Sequence, residues 1–141
     1  MGVSIYTKNK SIDLGCGGFN NLRTTVAYIV NKELGEFYEE LNKGLSLFGD
    51  ERKKFFEEYD KRLAHIDEEL NIDPLILDFL YLPDCEGTLT SKHSRRLYEA
   101  IKDYDDDIFY GYVGRPDCAM FKDFKEIVKD SRDHRIKLYW S

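Results

Sequence analysis

The residues best suited to holding a charged ligand lie near the start of the chain. Residues 12–18 are Ile-Asp-Leu-Gly-Cys-Gly-Gly, and an apolar stripe at helical spacing follows them. Glycines let a ligand approach the backbone closely, and the free N–H groups at the start of a helix attract anions. One hypothesis is therefore a ligand-binding loop supported by a positive charge one turn into the helix. Its candidate residues are Gly15, Gly17, Gly18 and Arg23.

Four residues could supply catalytic groups. Cys16 lies within the glycine-rich segment, where a helix N-terminus would lower the pKa of its thiol. Asp84, Glu86 and His93 could serve as acid, base or polar contacts for a bound substrate. Nothing in the spacing assigns one histidine to one cysteine. A structural interpretation fits the same residues, with Cys16 as a small buried side chain, Asp84 and Glu86 in an acidic turn and His93 on the surface. Both interpretations stay open.

Metal binding is not expected. An EF-hand loop with Gly87 at its sixth position would begin at Leu82 and end at His93, where calcium loops carry Asp and Glu. The acidic run that begins at Asp103 fails the same test. No two of the three cysteines, at positions 16, 85 and 118, have the Cys-x-x-Cys spacing of a zinc site. We expect neither a metal nor a cofactor.

Residues 12–18 resemble the first motif of S-adenosylmethionine-dependent methyltransferases, in which a strand ends in Asp-Leu-Gly-Cys-Gly. The resemblance implies a cofactor beside the glycines and a parallel α/β sheet. Such a unit needs a second buried strand after the helix, ending in an acidic residue about 20 positions on. Residues 33–45 are instead Glu-rich and helical in pattern, and no apolar strand comes before Leu75. We therefore interpret Asp13 to Gly18 as a flexible strand-to-helix connector.

The elements that must position these residues follow from hydrophobic spacing. Alternation predicts a first strand, a strand late in the chain and a closing strand, at about residues 3–8, 108–113 and 136–140. Helical spacing and caps predict helices at about residues 20–33, 37–45 and 50–70, one capped by Thr90 or Ser91, and a last one capped by Asp117. Gly35 is expected to break the first helix. The apolar run 75–82 is a short buried helix or, as the alternative, a strand.

The helix at 50–70 has the clearest pattern. Its apolar residues repeat at intervals of three and four, and they are Phe56, Tyr59, Leu63, Ile66 and Leu70. We interpret this seam as facing the core, because two heptads are too few to argue for a coiled coil. The same seam could also dock on a partner protein or on a second copy of the chain.

Together these elements predict an α+β fold, a mainly helical single domain with a small sheet formed by the N-terminal and C-terminal strands. The 141 residues match the commonest length of one domain. Three scattered cysteines indicate reduced thiols, and no segment is typical of a signal peptide or a membrane span. We therefore expect a cytoplasmic location and no membrane partner.

The net charge of −6 is distributed unevenly. Residues 33–121 hold eleven basic and twenty-two acidic side chains, whereas residues 1–32 and 122–141 have a small basic excess. An acidic centre repels phosphate backbones, so nucleic-acid binding is disfavoured unless the two ends meet in one basic patch.

Three further motifs carry a resemblance that spans most of the chain. They are Val3 to Arg23, the segment Asp84-Cys85-Glu86-Gly87-Thr88-Leu89-Thr90, and the ending Tyr139-Trp140. Together they resemble a group of small uncharacterised proteins of Gram-positive bacteria and their phages, which lends no catalytic residue and implies a bacterial protein.

Our leading functional hypothesis from sequence is a non-enzymatic protein-interaction or regulatory domain. The alternatives are a small-ligand or anion-binding protein or enzyme that uses the Gly15 to Gly18 loop, and a nucleic-acid binder that uses the basic termini.

Overall fold

The computed structural model describes residues 2–104, 109–110 and 119–141, and within them the α+β prediction is confirmed. The helices are α1 (Cys16–Val30), α2 (Lys32–Leu45), α3 (Gly49–Leu63), α4 (Ile66–Leu70), α5 (Pro74–Tyr81), α6 (Ser91–Ile101) and α7 (Phe121–His134). The strands are β1 (Gly2–Tyr6), β2 (Ser11–Gly15), β3 (Gly87–Leu89), β4 (Phe109–Tyr110), β5 (Ala119–Met120) and β6 (Leu138–Trp140).

The two ends of the chain meet in one antiparallel sheet with the order β2-β1-β6-β3. Strand alternation puts Val3 and Ile5 of β1, with Leu138 and Trp140 of β6, on the buried face. That face packs against α1, α6 and α7. The small β4–β5 pair forms a separate ribbon.

The glycine-rich segment is not the flexible connector that the sequence predicts. Residues Ser11–Gly15 pair with β1 along their whole length, and Leu14 of this strand is buried in the core. Gly15 is both the last strand residue and the N-cap of α1, with φ −70° and ψ 167°, and Cys16 begins the helix. Strand and helix therefore join with no intervening loop.

The first helix ends at Asn31 and not at Gly35. Asn31 is extended, and its side-chain oxygen accepts hydrogen bonds from the N–H groups of Glu33 and Leu34, which caps α2. Gly35 lies inside α2, where a Cβ would stand 2.4 Å from the ring of Tyr28 on α1. The glycine serves close helix packing, so the prediction of a helix break there was wrong.

The single helix predicted at 50–70 is two helices separated by Ala64 and His65. Tyr59 and Ile66 of the seam are buried, and its other three members are partly buried. The prediction that this seam faces the core is therefore confirmed. Residues of the same chain cover it.

The remaining predictions divide into four outcomes. Residues Pro74–Tyr81 are a helix, capped by Asp73, and Thr90 caps α6 as predicted. Strand β3 was missed because its three residues are too short for a pattern. The greater part of the predicted 108–113 strand, Asp117, Cys118 and the acidic residues 105–107 lie outside the described residues. The prediction that Asp117 caps the last helix was wrong, because strand β5 runs to Met120 and Met120 is the N-cap of α7.

No helix among the described residues combines the length and apolar character needed to cross a bilayer.

Candidate ligand-binding site

A pocket of about 520 Å³ lies between α1, α2, α3 and the turn that follows α5. This volume is within the range of small-molecule sites, about 300–1,000 Å³. Its apolar lining consists of Val3, Phe19, Leu41, Leu45, Phe56 and Leu80. Its remaining lining residues are Asn20, Arg23, Tyr38, Asn42, Tyr81, Asp84, Cys85 and Ser141. We call this cavity the Arg23 pocket.

The pocket has a buried floor and an exposed mouth. The buried lining residues form the floor, and they are Val3, Phe19, Arg23, Tyr38 and Leu80. The exposed lining residues are Asn20, Asn42, Leu45, Asp84, Cys85 and Ser141. A ligand entering here would pass from a mixed polar rim to an apolar interior that contains one cation.

Arg23 is the residue that distinguishes this floor from an ordinary core. Its side chain is only 4% exposed, and its guanidinium carbon lies 4.4 Å from the centroid of the Phe19 ring and 5.3 Å from that of Trp140. Its Nη2 donates to the carbonyl oxygen of Leu82 at 2.7 Å, whereas its buried Nε has no hydrogen-bond partner among the described residues. The donors of the guanidinium are therefore incompletely used, and a buried donor without a partner costs free energy.

The charge of Arg23 is only partly offset by its neighbours. Burial lowers the pKa of Arg23, while the Tyr38 hydroxyl and the Asp84 carboxylate act in the opposite direction. Among the described residues no carboxylate forms an ion pair with the guanidinium. Arginine stays protonated in proteins, so the floor holds a cation without a close counter-ion.

The wall of the pocket beside α3 is fixed by a pair of tyrosines. The Tyr59 hydroxyl donates to the carbonyl oxygen of Phe37 at 3.0 Å and lies 2.8 Å from the Tyr81 hydroxyl. The Tyr59 ring also stacks on Phe37 at 4.1 Å. Burial is the main cause of a raised pKa at both residues. It raises the pKa of Tyr59, and it raises the pKa of Tyr81 to about 12. These hydroxyls therefore stay neutral and hold α2, α3 and α5 together.

Behind the floor, Trp140 packs against a glycine. The indole Nε1 donates to the carbonyl oxygen of Pro83 at 2.8 Å, and the ring is 1% exposed. A Cβ added at Gly87 would stand 2.1 Å from this ring. The absence of a side chain at Gly87 is therefore what lets Trp140 reach Phe19 and Arg23.

The structure separates Arg23 from the glycines with which the sequence grouped it. Gly15, Gly17 and Gly18 do not line the Arg23 pocket, and Cys16 is the first residue of α1. A Cβ at Gly17 would have no atom of the described residues within 4 Å. Of the predicted ligand-binding set, only Arg23 belongs to this pocket.

The acid and base candidates are also divided among different places. Asp84 lines the Arg23 pocket, together with Cys85. Glu86 lines a smaller hollow of about 270 Å³ beside Tyr6 and Tyr139.

His93 belongs to a hydroxyl–imidazole–carboxylate chain at the start of α6. Its Nδ1 lies 2.7 Å from the Thr90 hydroxyl oxygen, and its Nε2 lies 2.8 Å from a carboxylate oxygen of Asp78. The Thr90 oxygen also accepts from the backbone N–H of His93 and completes a capping box. The chain therefore caps the helix and ties α5 to α6, and His93 lines neither of the two hollows described.

Within residues 2–104, 109–110 and 119–141 no group of three His, Cys, Asp or Glu side chains is arranged to hold a metal ion.

The two basic ends do meet, because β1 pairs with β6. Their junction is built around a buried carboxylate, since Asp130 accepts a hydrogen bond from the Thr7 hydroxyl at 2.6 Å and lies 2.9 Å from His134. Burial alone would raise the pKa of Asp130, but the hydrogen bonds from Thr7 and Asn9 lower it overall. This junction is structural, and it adds no specific support for nucleic-acid binding.

Sequence reasoning missed the partners of Arg23 but could have detected its burial. Arg23 follows Phe19 by four residues and precedes Val26 by three, so it lies in the apolar stripe of α1. A cation in such a stripe needs a polar environment. Tyr38 and the carbonyl of Leu82, which provide it, come from distant parts of the chain.

Comparisons of the chain with protein-family models, with curated proteins and with solved structures give no match. The likeness to small proteins of Gram-positive bacteria and their phages therefore stays a prediction.

Proposed function

We propose that this protein binds a small organic ligand with an apolar body in the Arg23 pocket. The observation that supports the proposal is a buried guanidinium with unused donor capacity at the floor of an apolar cavity. Binding sites for small molecules combine this kind of apolar lining with a few convergent polar groups. The proposal retains the ligand-binding alternative from the sequence but moves the site from the glycines to α2 and the turn after α5.

The side chains of the floor are fixed before any ligand arrives. Phe19 contacts both Phe79 and Trp140, and Tyr81 is held by Tyr59. A preorganised pocket loses little conformational entropy on binding, so more of the contact energy becomes affinity. Binding rather than catalysis is proposed, because the carboxylate of Asp84 and the thiol of Cys85 lie at the exposed mouth of the pocket.

The test uses N-phenyl-1-naphthylamine, a neutral apolar probe, and a matched pair of variants on α1. Asn20 and Asn21 are both exposed neighbours, but only Asn20 lines the pocket. We expect the wild-type protein to bind the probe in calorimetry, Asn20→Phe to weaken binding about tenfold, a loss of about 1.4 kcal/mol, and Asn21→Phe to leave it unchanged. Equal affinities for the two variants would mean that the probe binds elsewhere.

Protein interaction is a second candidate, favoured by one exposed apolar tip. Phe48 is 83% exposed and Leu45 is 60% exposed at the α2–α3 turn. We propose that this tip associates with a second copy of the chain. Sedimentation equilibrium is expected to give a dimer that Phe48→Ser converts to a monomer, and a wild-type protein that stays monomeric at high concentration excludes this candidate.

We also propose a cytoplasmic location. The support is Cys85, an exposed thiol with no disulfide partner among the described residues, which is typical of a reducing compartment.

A further inference from the structure

The residues of the pocket floor indicate which chemical class of ligand the pocket binds. This inference rests on the proposed function. We propose that the Arg23 pocket takes a monocarboxylic acid whose apolar body fills the cavity and whose carboxylate lies against Arg23. The premise is that the guanidinium lines the pocket, and that its buried Nε has no hydrogen-bond partner among the described residues although Nη2 donates to Leu82. A planar guanidinium matches the planar carboxylate, and such charge-assisted hydrogen bonds are the strong ones.

Tyr38 supplies a second group for the same carboxylate. Its side chain is buried beside Arg23 and lines the pocket, and it interacts with the guanidinium through its hydroxyl. Burial raises the pKa of Tyr38, so the hydroxyl keeps its proton at neutral pH. An oxygen that accepts from the guanidinium can still donate its own proton to a ligand. Two donors of different kinds therefore converge on one site.

A single negative charge suits this floor better than two. The Asp84 carboxylate already contributes negative potential at Arg23, so a phosphate monoester would bring a second charge into a site with only one cation. Moving ions from water into a buried site carries a large desolvation cost, which grows with charge. A neutral alcohol, by contrast, leaves the buried cation without a counter-ion. A monocarboxylate avoids both problems, because its single negative charge matches the single positive charge of Arg23.

The rest of the cavity specifies an apolar body. Beside Arg23 the ligand would contact Leu80, and nearer the mouth it would contact Leu41 and Phe56. The side chains of these three residues offer no hydrogen bond. Each methylene moved from water into such a lining contributes about 0.8 kcal/mol, which is about a fourfold gain in affinity. Affinity should therefore rise with chain length until the chain reaches the mouth at Leu45.

The experiment measures calorimetric affinities of wild-type protein for octanoate, 1-octanol and octyl phosphate at pH 7, all below their micellar concentrations. We expect octanoate to bind at least about tenfold more tightly than 1-octanol, and more tightly than octyl phosphate. Hexanoate should bind about fifteenfold more weakly than octanoate, and decanoate about fifteenfold more tightly, because each differs from it by two methylenes. Octanoate that binds no better than 1-octanol, or octyl phosphate that binds best, would overturn the carboxylate inference.

The two proposals fail in distinguishable ways. If 1-octanol and N-phenyl-1-naphthylamine bind while octanoate gains nothing, the pocket binds ligands but the carboxylate inference is wrong. If none of the probes binds, the proposed function itself is wrong. Arg23→Met provides the second measurement: its circular dichroism should match wild type, and the octanoate preference over 1-octanol should fall to about onefold. Should that variant fail to fold, the wild-type series still decides.

Discussion

The glycine-rich start of α1 and the Arg23 pocket differ in what surrounds them, although both belong to the same helix. The first resembles a cofactor loop, yet Gly17 has open space where a side chain would go. The second has no motif in the sequence, yet it gathers a cation, two tyrosine hydroxyls and an apolar wall. The difference teaches that a binding site depends on which side chains from distant segments of the chain pack around a residue. Each of the following changes tests one side of that comparison.

The largest expected effect is at Gly87, on the pocket side. Gly87→Ala places a Cβ against the Trp140 ring, which is boxed in by Phe19 and Phe79 and cannot move away cheaply. Overpacking of this kind costs about 1–3 kcal/mol. Urea unfolding should show a loss of stability of that size. A variant within about 0.5 kcal/mol of wild type would mean that the residues behind the pocket floor are loosely packed.

The next effect is at the tyrosine pair. Tyr59→Phe removes the hydrogen bond to the Phe37 carbonyl and leaves the Tyr81 hydroxyl without its partner. Such a loss costs about 1–2 kcal/mol in unfolding free energy. Tyr28→Phe is the control, because Tyr28 is exposed and should change stability by less than about 0.5 kcal/mol. Equal effects at the two positions would contradict the role of the pair.

The same wall predicts a dependence on alkaline pH. Burial raises the folded-state pKa of Tyr81 to about 12, above the value near 10 in the unfolded chain. The corresponding stability is fully present below about pH 10 and is lost as the pH rises towards 12. Between pH 9.5 and 10.5, wild-type stability should fall faster than that of Tyr81→Phe, by less than about 1 kcal/mol. If the stability of the two proteins changed equally with pH, the buried Tyr81 hydroxyl would not be the cause of the alkaline loss of stability.

The smallest effect is expected on the glycine side. Gly17→Ala adds a methyl group in open space within the first turn of α1, where alanine favours the helix. We expect a gain of about 0.5 kcal/mol and unchanged affinity for N-phenyl-1-naphthylamine. A tenfold loss of affinity in this variant would move the ligand back to the glycine-rich segment.

Local patterns predicted much of the fold. The alternation in β1 and β6, the Thr90 cap and the stripe of α7 depend on neighbours within a few residues, and the structure contains all of them. Gly35 shows where such reasoning fails, because a glycine that breaks a helix and one that admits a neighbouring ring look the same in sequence. Only the position of Tyr28 decides between them.

The candidate site was less predictable, because its parts come from distant segments. Arg23 was singled out for the charge that it would add to the glycine loop, and its burial was visible in the stripe. Tyr38 lies 15 residues further on, and the carbonyl that holds Nη2 belongs to Leu82, 59 residues away. No spacing rule links such positions, since the packing of α1 against α2 and α5 brings them together.

Trp140 has a further consequence, because it is the only tryptophan in the chain. Its indole lies 5.3 Å from the guanidinium of Arg23 and is shielded from water. Indole emission depends on nearby charge and polarity, so an anion that arrives at Arg23 alters the local field at the fluorophore. The protein thus carries its own optical reporter of pocket occupancy, and ligands can be screened by intrinsic fluorescence with no label attached.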